Sequence, residues 1–283
     1  MFQLNIPKEV YFQTPGISVS SLKSFADCPA KYKAERDGLI KREETAAMRF
    51  GTLLHALILE GREEYYVKPE GMNFASTAGK EWKLNHSDKI IITTDEHYQL
   101  ERIESAVRKH KHAGSLLQNG QSEVSLFGKD RETGMAIKGR ADYITSNSIV
   151  DIKTIHAADN RSCARAIADF NYHMQAAFYL ELARQNGVDA RDFYFIFIEK
   201  GDFPLINVRR LNQNAIDLGE IEYKKLLRDL KQAQETDVWP DYSGTDEQPA
   251  EIDLPTWKYT DISGCELIGA TEIESETSND FIP

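Results

Sequence analysis

Cysteine is scarce in this 283-residue chain: Cys28, Cys163 and Cys265 stand far apart and are odd in number. That excludes a disulfide framework and suits a reducing compartment. No apolar run approaches the roughly eighteen residues that a membrane span needs, so no membrane association is expected. The opening segment, Met1 to Pro7, has neither the basic region nor the long apolar core of a secretory leader, and a cytoplasmic location is expected. Basic side chains are also in deficit, 34 Lys and Arg against 45 Asp and Glu, for a formal net charge of -11. The deficit is local. Residues 241–283 hold eleven acids and one base, Lys258, which leaves 33 basic and 34 acidic residues in the first 240. A nearly neutral body can still carry a basic channel, because local field rather than net charge steers nucleic acid.

Two periodicities organise what is present. Helical spacing predicts helices over 18–26, 30–37, 48–59 and 95–111. The break between the first two falls at Cys28-Pro29. In the third, Phe50, Leu53, Leu54, Leu57 and Ile58 make a wide apolar face, ended by Gly61. Residues 1–16 read as an extended lead-in, and 62–95 as a short helix around 79–82 followed by a strand at 90–92. The pattern then alternates, predicting a meander of three strands at 122–127, 136–144 and 149–155 joined by polar turns. Helices return at 161–170 and 173–186, strands at 193–198 and 205–211, and a long helix closes the series at 212–235. This order implies an α/β fold, a mixed central sheet flanked by helices. Residues 1–242 are expected to form one domain, with a helical part at about 16–115 and a catalytic core at about 120–242. The acidic stretch 243–283 reads as a flexible tail.

The chemistry concentrates in the second and third strands of the meander. Asp151 and Lys153 are two positions apart and so share a strand face, interrupting an apolar run. Asp142 lies nine residues before Asp151 across a tight turn, so the two carboxylates can meet on neighbouring strands. Two acids hold a hard divalent cation by oxygen, and a lysine beside them can orient or activate water for phosphodiester cleavage. The plainer alternative is a solvated strand face with the lysine paired to one acid. His55, on the apolar helix, is by itself more often a packed core residue than a ligand. Gln175 and Tyr179, at i and i+4, share a helix face, where packing polarity explains them equally well. Glu123 in the first strand either approaches the site or is solvated. Arg49, Lys138 and Arg140 are surface charge by default. Lys138 and Arg140 share a face with Asp142, which makes them candidates for backbone phosphate contacts.

The motif stands as Ala141-Asp142-Tyr143, a short turn, then Val150-Asp151-Ile152-Lys153-Thr154. It resembles that of the PD-(D/E)xK nucleases. Flanking segments are similar more specifically to the exonuclease VIII (RecE) type of phage recombination exonuclease. These are Ser18-Val19-Ser20-Ser21-Leu22-Lys23, Cys28-Pro29-Ala30-Lys31-Tyr32, Arg49-Phe50-Gly51-Thr52-Leu53-Leu54-His55, Lys138-Gly139-Arg140-Ala141-Asp142 and Gln175-Ala176-Ala177-Phe178-Tyr179. The resemblance covers about residues 16–242.

The resemblance implies a restriction-endonuclease-like core and a 5′→3′ exonuclease acting on double-stranded DNA ends in phage or prophage recombination. It implies Mg²⁺, with Mn²⁺ substituting, held by His55, Asp142, Asp151 and the Ile152 carbonyl. It places Lys153, Gln175 and Tyr179 in the catalytic site, and an arginine such as Arg49 on a terminal phosphate. It further implies a homo-oligomeric ring and a single-strand annealing protein as partner. The alternatives are a RecB-like nuclease of other polarity and a catalytically silent DNA-end-binding protein, the latter disfavoured by the intact acid–acid–lysine set. Iron–sulfur relatives use a Cys-Pro at the position of Cys28 with three further cysteines. Cys163 and Cys265 cannot complete four thiolates, so Cys28 is expected to be a buried packing residue.

Overall fold

Pro7 opens helix α1 (Lys8–Gln13), inside a stretch whose sequence reads as extended. The computed structural model describes residues 6–41, 44–244 and 251–255, with the backbone alone at Lys8. Lys138, far along the chain, accounts for α1. Its ammonium donates to the carbonyls of Tyr11, Phe12 and Thr14 at 2.9, 3.2 and 2.6 Å, satisfying the end of a helix too short to persist alone. Helix α2 (Val19–Asp27) is capped by the Ser18 hydroxyl, which accepts from the Ser21 amide at 3.2 Å. Buried Cys28 joins it to α3 (Pro29–Arg36), with proline at the first helical position. Helix α4 (Ala46–Glu60) runs from a Thr45 cap to Gly61, whose φ of 64° suits a residue without a Cβ.

The segment that is hard to read by pattern folds as β1 (Tyr65–Val67), α5 (Thr77–Asn85) and β2 (Ile90–Ile92), with the two strands paired in parallel. The long helix expected at 95–111 divides. Helix α6 (Thr94–Lys109) starts on a Thr93–Glu96 capping box and stops at His110, which is extended. The His110 ring then accepts the Ala113 amide and caps α7 (Lys111–Leu116).

Strands β3 (Gln121–Lys129), β4 (Ala136–Ile144) and β5 (Ser148–Ile155) form the predicted meander. Helices α8 (Asn160–Asp169) and α9 (Tyr172–Gln185) then carry the chain over to β6 (Asp192–Glu199), which pairs with β5 in parallel. Parallel neighbours require such a crossover. Strand β7 (Ile206–Arg210) returns antiparallel beside β6, and α10 (Gln213–Thr236) follows. The sheet order is β3-β4-β5-β6-β7, a mixed sheet with helices on both faces, as the sequence order implies. One face packs on α2, α8, α9 and α10 through Leu22, Phe178, Tyr223, Leu227 and the Phe193, Phe195 and Phe197 series. The other packs on α4, α6 and α7 through Leu53, Leu54, Leu100, Ile103, Val150 and Ile152. Burial on both faces explains the nearly continuous apolar runs of β5 and β6.

The described residues up to Tyr242 form one compact unit. Most of the acidic tail, read from sequence as flexible, lies outside the described residues. Among the described residues no helix is long and apolar enough to cross a membrane.

Candidate active site

Strands β4 and β5 pair only at Tyr143–Val150 and Ile144–Ile149, next to their turn. Continuing that register would set Asp142 opposite Asp151, but there the strands part. The side chain of Asp142 fills the fork. Its Oδ2 accepts the Ile152 amide at 2.9 Å, a donor that a continued ladder would have used. Asp151 is only 1% exposed. Gln175 of α9 donates from Nε2 to Asp151 Oδ1 at 2.5 Å. Lys153 Nζ stands 2.5 Å from Asp151 Oδ2 as an ion pair. That contact is not aligned as a hydrogen bond, so Oδ2 is a buried oxygen that accepts none. The structure therefore brings together the three fork residues and Gln175.

Helix α4 delivers His55 to the open side of the fork. Its Nε2 lies 3.1 Å from the Ile152 carbonyl oxygen, and its Nδ1 3.6 Å from Asp142 Oδ1. Glu123 joins them. One ligand atom each from His55, Glu123 and Asp142 lies within 4.8 Å of the others. The β3–β4 register pairs Ser122 with Tyr143 and Val124 with Ala141, so Glu123 stands opposite Asp142 at a gap in the ladder. Its φ is 51°, a left-handed conformation that costs of order 1–3 kcal/mol in a residue with a Cβ. Arg140 Nε holds the turned-in carboxylate at 2.7 Å, and its Nη1 donates to Ile6 O at 3.1 Å.

These donors fit a divalent cation. Carboxylates and a backbone carbonyl are hard oxygen ligands, and an imidazole suits Mn²⁺ well. Two ligands at right angles and roughly 2.1 Å from such an ion stand about 3 Å apart, close to the His55–Ile152 separation. The strained backbone of Glu123, which brings a further carboxylate beside Asp142 and His55, is accounted for by an ion held there.

Charge within the fork is finely balanced. Burial, with the Asp151 charge adding to it, pushes the Asp142 carboxyl up to about 6, while His55, Lys153 and the Ile152 amide pull the other way. Burial works against the charge of Lys153, but the Asp151 and Asp142 carboxylates outweigh it and raise its pKa above the ordinary lysine value. Lys153 is therefore held as a cation in the metal-free fork. Its ammonium sits 5.0 Å from the centroid of Tyr172, and Lys23 of α2 sits 5.1 Å from the same ring. Burial and the Lys153 charge lower the Lys23 pKa to about 8. Sequence pattern gives no reason to single out Lys23, since its neighbours come from β5 and α9.

The remaining candidates are more dispersed. Tyr179 lies against Gly139, where a Cβ would come within 2.8 Å of its ring. Burial holds its hydroxyl well above the ordinary tyrosine pKa, so it remains neutral. Arg140 lines, with Glu123, His55 and Asp142, a cleft of about 1030 Å³ that extends to Arg62 and Lys89. Lys138 is buried and occupied at the end of α1. Arg49 is ion-paired with Glu96 at 3.2 Å.

His55→Ala is expected to lower Mn²⁺ affinity roughly tenfold or more while leaving the melting temperature of the metal-free protein nearly unchanged. Calorimetric titration beside a thermal melt checks both. Unaltered affinity with a large loss of stability would make His55 a packing residue.

Residues 18–249 match the family described as a PDDEXK-like domain of unknown function. The chain is similar in fold to a candidate exonuclease from Eubacterium rectale, with a TM-score of 0.61 and 19% identity, over 93% of this chain and 100% of that one. A phage-related exonuclease from Haemophilus somnus 129PT is more distant, at a TM-score of 0.34 and 13% identity over 80% of this chain and 98% of that one. No curated protein matches the sequence. The family match spans most of the chain and includes the fork with its two acids and lysine, and this protein belongs to the family of PDDEXK-like domains.

Proposed function

We propose that this protein is a metal-dependent exodeoxyribonuclease that degrades one strand of duplex DNA in the 5′→3′ direction. The carrying observation is the convergence of Asp142, Asp151 and Lys153 at the strand fork with His55 and Glu123 beside them. Asp142, Asp151, Glu123, His55 and the Ile152 carbonyl would hold one or two Mg²⁺ ions, with Mn²⁺ as a substitute. A cation bound there neutralises charge on the scissile phosphate and acidifies the attacking water. Lys153 is a cation in the metal-free fork. Its role is electrostatic, donating hydrogen bonds to the water and to the oxygen on which negative charge grows. Gln175 fixes Asp151 by holding Oδ1, which leaves Oδ2 for the metal and the lysine. The Ile152 amide does the same for Asp142.

Strand polarity, 3′ overhangs as product, a cytoplasmic role in phage or prophage recombination and an annealing partner follow from the likeness to the RecE type. So does a homo-oligomeric ring, which would keep a small, nearly neutral body on its strand between cuts. The decisive experiment incubates the protein with duplexes labelled at one 5′ or one 3′ end, in Mg²⁺ and in EDTA. Early release of the 5′ label as mononucleotide, in Mg²⁺ only, is expected. Early release of the 3′ label would reverse the polarity, and no cleavage in Mg²⁺ would remove the enzymatic reading. For the ring, light scattering of the chain truncated after Tyr242 should give the same multimer as the full chain. A monomer from both would defeat it.

A further inference from the structure

Outside both cores, the excursion between α4 and α6 lines up four half-buried aromatic side chains. Phe74 stacks on Trp82 at 6.0 Å and 19°, Trp82 on His86 at 4.0 Å and 15°, and Tyr66 meets His86 edge-on at 4.6 Å. His86 is fixed in place by its Nδ1, which donates to the Trp82 carbonyl at 2.7 Å. A small local core would explain the rings alone. It does not explain the charge around them. Lys68 and Lys83 lie 4.7 and 5.9 Å from the Phe74 centroid, and Lys89 lies 5.5 Å from that of Tyr66. Among the described residues none of these three ammonium groups pairs with a carboxylate, and Lys83 and Lys89 are exposed. One acid touches the series: Asp88, which accepts from the Tyr66 hydroxyl at 3.3 Å.

The Tyr66 end of the series is continuous with the cleft. Ser87, Asp88, Lys89 and Ile90 line the same cavity as His55, Glu123 and Asp142. Rings in series, cations at both ends and an outlet at the hydrolytic fork fit the chemistry of unpaired nucleotides. Bases stack on aromatic faces whatever their sequence, and ammonium groups follow the phosphates. A paired duplex offers its base faces to no such surface.

We propose that Phe74, Trp82, His86 and Tyr66, with Lys68, Lys83 and Lys89, form a stacking platform for a single-stranded DNA segment that runs into the catalytic cleft. Its purpose rests on the nuclease reading, but its binding chemistry does not.

The test measures binding of a short fluorescein-labelled oligothymidylate to the full chain in EDTA, where cleavage cannot intrude. Trp82→Ala should weaken binding about tenfold or more. The double variant Lys68→Glu/Lys83→Glu should weaken it too and make the dependence on salt less steep, since fewer counterions are released. This second variant alters the periphery of the rings and guards against a misfolded Trp82→Ala. Mn²⁺ affinity should be unchanged in both, because neither touches the fork. Parent-like oligonucleotide binding by both variants overturns the platform, as does a parent that binds duplex but no single strand. A parent that binds and responds as expected yet cleaves no labelled duplex leaves the platform standing and refutes the nuclease reading instead.

Discussion

Asp142→Asn is expected to abolish phosphodiester cleavage while raising the melting temperature of the metal-free protein at pH 7. The two effects have one cause. Burial and the neighbouring Asp151 charge lift the Asp142 carboxyl from its ordinary range to about 6. The folded protein therefore binds this proton more tightly than the unfolded chain does. Stability from this group is greatest below the unfolded value near 4 and falls as pH rises through about 6. At pH 7 the ionised carboxylate works against folding by up to roughly 3 kcal/mol, a ceiling given its coupling to Asp151. Asparagine removes the charge and still accepts the Ile152 amide through its side-chain oxygen, so the fork should close without strain. A gain of several degrees in melting temperature follows for a domain of this size. The melting curve of the variant should also be flatter between about pH 4 and pH 7 than that of the parent. Cleavage is lost because an amide is a poor ligand for a hard cation beside Glu123 and His55. Undiminished cleavage would remove Asp142 from the metal site. A variant less stable than the parent at pH 7 would show that the carboxylate is better solvated than its burial implies.

The parts of this site visible in the sequence are those that local geometry fixes. Asp151 and Lys153 share a face because strands alternate, and Asp142 meets Asp151 because a tight turn sets the register between β4 and β5. Caps were legible for the same reason: Gly61 ends α4, and Cys28-Pro29 separates α2 from α3. What was illegible depends on partners distant in sequence. Helix α1 exists because Lys138 reaches it from β4, 127 residues beyond Tyr11. The same contact gives Lys138 a structural occupation that alternation within β4 could not reveal. His55 and the Ile152 carbonyl are 97 residues apart, and only the likeness to a known family favoured the histidine as a ligand over a core residue. Glu123 could be named as a candidate but not weighed, because its approach requires a left-handed backbone that no side-chain pattern encodes. The parallel pairing of β1 with β2 spans α5 and was hidden by the shortness of both strands. Lys23 shows the limit most plainly. Its position in α2 is unremarkable, yet the fold sets it and Lys153 against one tyrosine ring.

Lys153→Met should reduce turnover by roughly 100- to 1000-fold, the loss typical when one preorganised donor to a developing oxyanion is removed. Methionine keeps much of the length and apolar stem, so packing against Tyr172 survives and the ammonium alone is deleted. Its loss leaves Asp151 nearly fully buried, without its ion pair and with the Gln175 hydrogen bond. Removing one member of a buried pair costs about 3–5 kcal/mol, because the other charge is left uncompensated. The metal-free variant should therefore melt well below the parent. A divalent cation that supports binding without hydrolysis, such as Ca²⁺, supplies positive charge to the same carboxylate. Adding it should narrow the gap in melting temperature between variant and parent, since a ligand that binds only the folded state stabilises by mass action. The combination separates two roles for Lys153. If it only neutralises Asp151, saturating metal should restore both stability and turnover. If it also acts on the water or the phosphate, stability recovers and turnover does not, which is the outcome expected here. Recovery of turnover to within about tenfold of the parent at saturating Mg²⁺ would reduce Lys153 to a structural counter-ion and move the activation of water to the metal alone.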